Sequence, residues 1–424
     1  MSVEDIYELY KQFPAITTDS RECRENSIFI ALKGEHFNGN KFAKTAIEKG
    51  CRYAIVDEKE YADNERIILV NNCLETLQQL ANYHRRQLKT SIIGITGTNG
   101  KTTTKELVAA VLSQKFNVLF TQRNLNNHIG VPLTLLKLTA GHELAVVEMG
   151  ANHPKEIAEL CAIAEPDYGI ITNIGKAHLE GFGSFQGVIN TKGELYDYIR
   201  NKGGKIFINE DNPVLEKISR NIEKITYSQK NPDAFVYAAP ADNELFLKIL
   251  WKDEIISTHL IGLYNAENIL AAICIGKYFG VEKEKIVAAI ENYKPANNRS
   301  QFAETEKNKL VIDAYNANPT SMQAAIRNFA GLKSERKALI LGDMLELGDN
   351  SAKEHQAIID CLQELHFNDV LLVGEEFSKT KSPFKTFPHT GDCAAYLQQN
   401  PFFDYTILIK GSRGMKLEVL REVL

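Results

Sequence analysis

Short apolar runs recur along this chain, and each ends in glycine or polar residues before a stretch with helical spacing begins. "SIFIAL" (27–32), "RYAIV" (52–56), "IILV" (67–70), "SIIGIT" (91–96), "LAVVEM" (144–149), "YGIITNI" (168–174) and "KIFIN" (205–209) come first. "KLVIDAY" (309–315), "KALILGDM" (337–344), "DVLLVG" (369–374) and "YTILIKGSRG" (405–414) follow. Runs of this length bounded by turns suit buried strands, and strands alternating with helices suit βαβ units. The expected class is therefore α/β with mainly parallel sheets. No fixed-period repeat points to a solenoid.

With 424 residues the chain has room for about three domains. A small α/β unit over 1–89 carries helical patterns at 41–50 and 73–88. A second unit over 90–296 opens on the run at Ser91 and holds a helix over 265–279. The Pro- and Asn-interrupted "YKPANNRS" (293–300) reads as a linker to a third unit, 297–424.

Composition excludes several classes. A net charge of −5 without a basic cluster argues against nucleic-acid binding. No apolar segment approaches the ~20 residues of a membrane span, and "MSVEDIYELY" lacks the pattern of a signal peptide. The seven cysteines are scattered and never spaced C-x-x-C, as expected of reduced thiols without a zinc site. A cytoplasmic protein is expected.

The chemistry concentrates in "SIIGITGTNGKTTTK" (91–105). The strict pattern G-x-x-x-x-G-K-[ST] would need glycine at 95, where Ile95 stands. Gly97 and Gly100 nevertheless lie where a strand turns into a helix. There, backbone N–H groups and the helix N-terminus attract phosphate oxygens. Lys101 is placed to reach terminal phosphates and Thr102 to hold Mg²⁺. A purely structural turn explains the glycines but not Lys101 and Thr102. Glu148, ending a strand, suits a Mg²⁺ ligand or a solvated strand end. His178 stands in the Gly-rich "TNIGKAHLEGFGS" (172–184), and Lys192 taken alone is a surface lysine. "DAYNANPTSM" (313–322) offers Asp313 to a ribose, or an Asn-Pro turn with a helix N-cap at Thr320 or Ser321. Asp313, Asp343, Lys410 and Arg413 follow strands and mark a second ligand-facing rim.

Together these segments resemble the Mur ligases, ATP-dependent amide-forming enzymes of bacterial cell-wall synthesis. Their phosphate loop reads T-G-T-N-G-K-T, matched by Thr96–Thr102, so Ile95 is usual there. The resemblance continues through "DSRECRENSIFIALKGEHFNGNKF" (19–42), "EMGANHPKEI" (148–157), "GLYNAENILAA" (262–272), "LGDMLELG" (341–348) and "KGSRG" (410–414). It implies a UDP-sugar-binding domain at 1–89, a central P-loop ATP-binding domain at 90–296 and a Rossmann-like C-terminal ligase domain at 297–424. "DAYNANPTSM" with "LGDMLELG" is similar to members acting on UDP-N-acetylmuramoyl-tripeptide and D-alanyl-D-alanine. The D-N-P-R of the ligase for the third amino acid is absent. Two departures stand out: Asn38-Gly39-Asn40 replaces Asp-Gly-His or Asp-Gly-Arg, and Arg123 stands where glycine is frequent.

Carried over by position, the resemblance implies ATP, two Mg²⁺ ions and a carbamylated Lys192. Lys101, Lys192 and His178 would be catalytic. Thr96, Gly97, Thr98, Asn99, Gly100, Lys101, Thr102, Thr103 and Arg299 would serve the ATP phosphates, Asn265 or Asn268 the adenine and Asp313 the ribose. Thr102 and Glu148 would hold one Mg²⁺, His178 and the Lys192 carbamate the other. Asp19, Ser20, Arg21 and Lys33 would line the uridine-nucleotide site, and Asn126 and Asn127 the inner muramoyl site. A monomer acting without nucleic acid or membrane insertion is expected. The rival expectations are a sister ligase with another amine substrate, and a P-loop switch that ligates nothing.

Overall fold

The apolar runs become strands in the computed structural model, which describes residues 1–241, 244–295 and 299–424. In the first unit, α1 (Val3–Gln12) precedes β1 (Ala15–Thr17), β2 (Ser27–Ile30), the small hairpin β3 (Lys33–Gly34) and β4 (Phe37–Asn38), and α2 (Ala43–Glu48). Then come β5 (Tyr53–Val56), β6 (Ile67–Leu69) and α3 (Cys73–Arg86). A parallel sheet forms in the order β1-β2-β5-β6.

The central unit runs β7 (Ser91–Thr96), α4 (Lys101–Leu112), β8 (Val118–Phe120), α5 (Gly130–Leu135), β9 (Leu144–Glu148), α6 (Glu156–Ala164) and β10 (Tyr168–Ile171). It continues with α7 (Leu179–Phe182), α8 (Phe185–Lys202), β11 (Lys205–Asn209), α9 (Pro213–Ile218) and β12 (Glu223–Ser228). An edge meander of β13 (Val236–Pro240), β14 (Phe246–Trp251) and β15 (Glu254–Ile261) precedes α10 (Ala266–Tyr278) and α11 (Lys283–Asn292). The sheet order is β15-β14-β13-β12-β11-β10-β7-β9-β8, parallel except where β14 pairs with β13 and β15. The apolar runs of the sequence predict no strand in this meander. Its outward positions break up the apolar pattern: burial alternates along β14, whose Leu250 is 44% exposed. A two-residue turn closes β14 onto β15, with Lys252 at φ 57°, as tight hairpins require.

The third unit runs β16 (Gln301–Glu304), β17 (Lys309–Asp313), α12 (Pro319–Gly331), β18 (Lys337–Gly342) and α13 (Ser351–Glu364). It ends with β19 (Val370–Val373), α14 (Glu375–Ser378), β20 (Lys385–Phe387), α15 (Thr390–Gln399) and β21 (Thr406–Lys410). The order is β16-β17-β21-β18-β19-β20, with only β16 antiparallel. The expected boundary between 296 and 297 lies outside the described residues.

Two corrections concern this unit. The N-cap of α12 is Asn318, not Thr320 or Ser321: Asn318 accepts from the Ser321 N–H, Ser321 answers in kind, and Pro319 takes the first helical position. Asp343 turns inward rather than to a ligand. Its carboxylate accepts from the N–H groups of Glu376 and Phe377, each at 2.9 Å, and so caps α14.

One continuous apolar cluster joins the first unit to the central one, from Ile6 and Leu77 to Val131 and Leu195. The third unit packs around two further clusters, one of which takes in Ile261 at the end of β15. The first two units therefore form one body, and the third meets it across a cleft.

Candidate active site

Strand β7 lies between β9 and β10, so the turns leaving all three emerge at one sheet edge. The turn after β7 is fixed by two glycines with positive φ, Gly97 (142°) and Gly100 (77°). A Cβ at Gly97 would stand 2.0 Å from the Thr172 hydroxyl, and one at Gly100 would stand 2.4 Å from Asn268 Oδ1. No larger residue fits either place. Thr96 is buried and donates to the Met149 carbonyl at 2.7 Å. Asn173 grips the loop, its Oδ1 accepting from the Asn99 N–H at 3.0 Å and its amide donating to the Asn99 carbonyl at 3.1 Å. Helix α4 starts without a side-chain cap, so its first N–H groups face the turn, an arrangement suited to an anion.

Lys101 folds back over this turn, donating to the carbonyls of Gly97 (2.8 Å) and Thr98 (3.1 Å). Desolvation lowers its pKa to about 8, with Glu148 opposing and Arg299 adding to the shift. Thr102 donates to both carboxylate oxygens of Glu148 (3.0 and 3.3 Å), and Asn126 donates to Glu148 at 2.8 Å. The register Ile95↔Glu148 between β7 and β9 sets this pairing. Asn127 is exposed and caps α5 by accepting from the Gly130 N–H. Asn268 accepts from Thr104 at 3.0 Å and donates to Asn265 at 2.8 Å, which braces α10 against α4.

Sequence reasoning missed Lys105. It follows Lys101 by one helical turn, is fully buried, and its ammonium has no hydrogen-bond partner among the described residues. It lies 3.9 Å from Glu148, 3.5 Å from Glu106 and 5.8 Å from the Phe120 ring centre. It places positive charge behind the Glu148 carboxylate. Spacing alone gave a hint, since residues i and i+4 share a helix face.

Lys192 is not on the surface. It lies on α8, 2% exposed, donating to the Ala151 carbonyl at 3.1 Å with its ammonium 5.2 Å from the Phe182 ring centre. Burial drives its pKa well below the usual lysine range, and repulsion from Lys101 adds to the shift. His178 (φ 49°) stacks edge-on to the same Phe182 ring and meets the Glu346 carboxylate.

The third unit completes the cavity. The register Asp313↔Lys410 brings these two side chains into an ion pair at the ends of β17 and β21. Arg299 lies 3.6 Å from the Tyr315 ring centre. Asn318 donates to Asn99 at 2.8 Å, and Lys176 pairs with Glu354 at 2.7 Å across the cleft. The cavity has a volume of about 740 Å³. It is lined by the loop from Thr98 to Thr103, by Asn126, Asn127, Glu148 and His178, and by Asn265, Asn268, Arg299 and Asp313. Thr96, Gly97 and Lys192 sit behind this wall.

The remaining candidates lie in the first unit, away from the cavity lining. Arg21 ties itself to Asp19, Lys49 donates to the Ser20 carbonyl, and Lys33 pairs with Asp57 and Glu58. Asn38 and Asn40 hold the same network, donating to Glu58 and Asp57.

The donor set fits Mg²⁺. A hydroxyl and a carboxylate are hard oxygen ligands, and Mg²⁺ is usually held by one or two carboxylates plus substrate phosphates. No group of three or more His, Cys, Asp or Glu gathers among the described residues; phosphate oxygens and water complete such a shell in sites of this kind. The cavity thus combines a phosphate cradle with the oxygen donors of Thr102 and Glu148, which suits phosphoryl transfer.

Three family models match in order: "Mur ligase family, catalytic domain" at 12–85, "Mur ligase middle domain" at 95–276 and "Mur ligase, glutamate ligase domain" at 298–401. The UDP-N-acetylmuramoyl-tripeptide--D-alanyl-D-alanine ligase of Bacillus subtilis is 34% identical over 420 residues, covering 95% of this chain and 91% of its own. That of Escherichia coli is 33% identical over 417 residues, covering 95% and 92%. Among solved structures, MurF from Acinetobacter baumannii superposes with a TM-score of 0.87 at 29% identity, covering 99% of this chain and 98% of its own. The MurF ligase of Thermotoga maritima in complex with ADP gives 0.85 at 27% identity, covering 97% of each.

Proposed function

The chain belongs to the Mur ligase family, and on that premise we propose that it joins D-alanyl-D-alanine to UDP-N-acetylmuramoyl-tripeptide while converting ATP to ADP and phosphate. The observation that carries this reading is the meeting of the Lys101–Thr102 turn, Glu148 and the Asp313–Lys410 pair around one cavity.

A carboxylate is a poor electrophile. Its oxygen attacks the γ-phosphorus of ATP, the bond to the β-phosphate oxygen breaks, and ADP leaves an acyl phosphate. Lys101 exchanges its two carbonyl partners for phosphate oxygens as charge spreads in the transition state. The dipeptide amine, its ammonium proton given up to water, then attacks the carbonyl carbon, and the tetrahedral adduct passes a second N–H proton to the departing phosphate and leaves the amide. Thr102 and Glu148 would hold one Mg²⁺, and His178 with modified Lys192 a second; such ions neutralise phosphate charge when bound. Closure of the third unit keeps water from the acyl phosphate.

Lys192 is the residue for carbamylation. Burial lowers its pKa, which favours the free amine that carbamylation needs. The amine attacks CO₂, loses a proton and becomes an anionic carbamate, turning a buried cation into an oxygen ligand. Lys192→Ala is expected to lose nearly all activity and to regain part of it with small carboxylates. A carbamate resonance in protein equilibrated with ¹³CO₂ checks the modification. Full activity in Lys192→Ala removes the residue from the site.

The reading as a whole is tested by phosphate release from ATP with UDP-N-acetylmuramoyl-tripeptide present and D-alanyl-D-alanine added or withheld. Release that requires both supports it. Release with another amine points to a sister ligase, and release needing neither points to a switch. The reaction is expected in the cytoplasm; no described helix is long and apolar enough to cross a membrane.

A further inference from the structure

Lys105 carries a fully buried ammonium that the proposed chemistry does not use. It stands on α4 one turn past Lys101 and does not line the cavity. Among the described residues its nitrogen has no hydrogen-bond partner, whereas the enclosed Lys192 and Lys410 donate to the Ala151 carbonyl and to Asp313. A buried charge left without hydrogen bonds is costly, and opposite charge nearby is what compensates it. Here the compensation is the Glu148 carboxylate at 3.9 Å and that of Glu106 at 3.5 Å, with the Phe120 ring centre 5.8 Å away. Glu106 is also held by the Tyr293 hydroxyl at 2.7 Å. Glu148 does not need Lys105 for its orientation. Thr102 and Asn126 donate to its carboxylate, and its own N–H donates to Thr121 Oγ1 at 2.9 Å. What Lys105 adds is charge. Lys101, on the cavity wall, attracts the same carboxylate, so two ammonium groups act on Glu148.

We propose that Lys105 denies the Thr102–Glu148 site to a bare divalent cation, so that the site fills only when nucleotide phosphates arrive with the ion. The inference rests on the cation-site reading above and deepens it. A dication gains little from a carboxylate whose charge two ammonium groups already offset, one of them enclosed where water does not screen it. Phosphate oxygens supply the missing negative charge and further ligands together. Lys105 is a positioning residue in this scheme: it acts through Glu148, from behind the cavity wall. The consequence is a site that stays open for the nucleotide instead of being occupied beforehand by a free ion.

Titration of the full-length, chelator-treated protein with Mn²⁺, with and without ADP, tests this, the bound ion being counted by electron paramagnetic resonance. Wild type should hold Mn²⁺ at least about tenfold more tightly with ADP than without it. Lys105→Met and Lys105→Gln remove the charge and should bind Mn²⁺ without nucleotide about tenfold more tightly than wild type. Lys105→Arg keeps the charge and should show no such gain. The gain should vanish in the double variant Lys105→Met/Glu148→Ala, which ties it to this site. Equal affinity for Mn²⁺ alone in wild type and both neutral variants overturns the proposal. An equal gain in Lys105→Arg also overturns it, because packing and not charge is then the cause. Wild type that binds Mn²⁺ equally with and without ADP overturns it without any variant. Glu148→Ala, measured with ADP, separates the two failures. If it weakens Mn²⁺ while the neutral Lys105 variants gain nothing, the cation site stands and only the role of Lys105 is wrong. If it binds Mn²⁺ as tightly as wild type, the cation-site reading falls and the proposal with it.

Discussion

Arg123 shows how a single residue departs from its neighbours for a backbone reason. It occupies the left-handed region at φ 51°, where an L side chain crowds its own carbonyl. That conformation is the one for which the glycine expected from the family resemblance would be suited. Arg123→Gly relieves the crowding but adds freedom to the unfolded chain. A net gain of roughly 0.5–1 kcal/mol is expected, read as a higher urea midpoint. An unchanged or lower midpoint would show that the arginine side chain compensates. His178 and Glu346, which meet across the cleft, are also left-handed, at 49° and 63°. Strain of this kind is tolerated where surrounding structure enforces it. At this scale the sequence revealed the glycines and Lys101 but hid the environment of Lys105 and Lys192. A lysine's letter is the same whether its ammonium is solvated or enclosed.

Among the elements, α3 does more than cover the first sheet. Its last turn supplies Asn82 and Arg85 to the end of α6. Arg85 donates to the carbonyls of Ala164 (2.9 Å) and Glu165 (2.8 Å), and Asn82 donates to that of Ile163 (2.9 Å). These carbonyls have no partner within their own helix, and a cation there also meets the negative end of the helix dipole. Tyr10 of α1 and His84 of α3 likewise bond the carbonyls of Leu136 and Leu138. Arg85→Ala is expected to lower stability by roughly 2–3 kcal/mol and to speed hydrogen exchange at 160–166. Exchange no faster than in wild type would mean that water replaces the guanidinium at no loss. The helix itself is legible in the sequence from its apolar spacing at 73–88. The partner of its polar end is not, because α6 lies some eighty residues further along.

For the molecule as a whole, the two interfaces differ in kind. The first and central units share a continuous apolar core, which does not open without exposing large hydrophobic area. The third unit meets the central one through polar pairs, Asn99–Asn318, Lys176–Glu354 and His178–Glu346, and through a small apolar contact in which Ile261 and Phe246 join the third unit's core. Polar pairs with one partner in solvent contribute only about 0–1 kcal/mol each, so ligand in the cleft is expected to shift the balance between open and closed. Small-angle scattering should record a smaller radius of gyration when an ATP analogue and muramoyl tripeptide are added together. No compaction at saturating ligand would sink the closure step. A monomer is expected, and light scattering at working concentration checks that expectation.

Local chemistry alone makes much of this protein legible in its sequence. Apolar runs of strand length, turns closed by Gly97 and Gly100 and helical spacing after Lys101 depend only on neighbours along the chain. They specified three α/β units, the phosphate turn and the family resemblance. The edge meander and the Asn318 cap escaped because exposed strand faces dilute the apolar signal and several adjacent polar residues compete for one cap. Tertiary structure alone decided that Glu148 meets Thr102, that Asp313 meets Lys410, and that Lys105 and Lys192 lie enclosed. Those facts come from sheet register and crossover packing between segments far apart in the chain. Burial and electrostatic pairing are properties of such contacts, and no short stretch of sequence carries them.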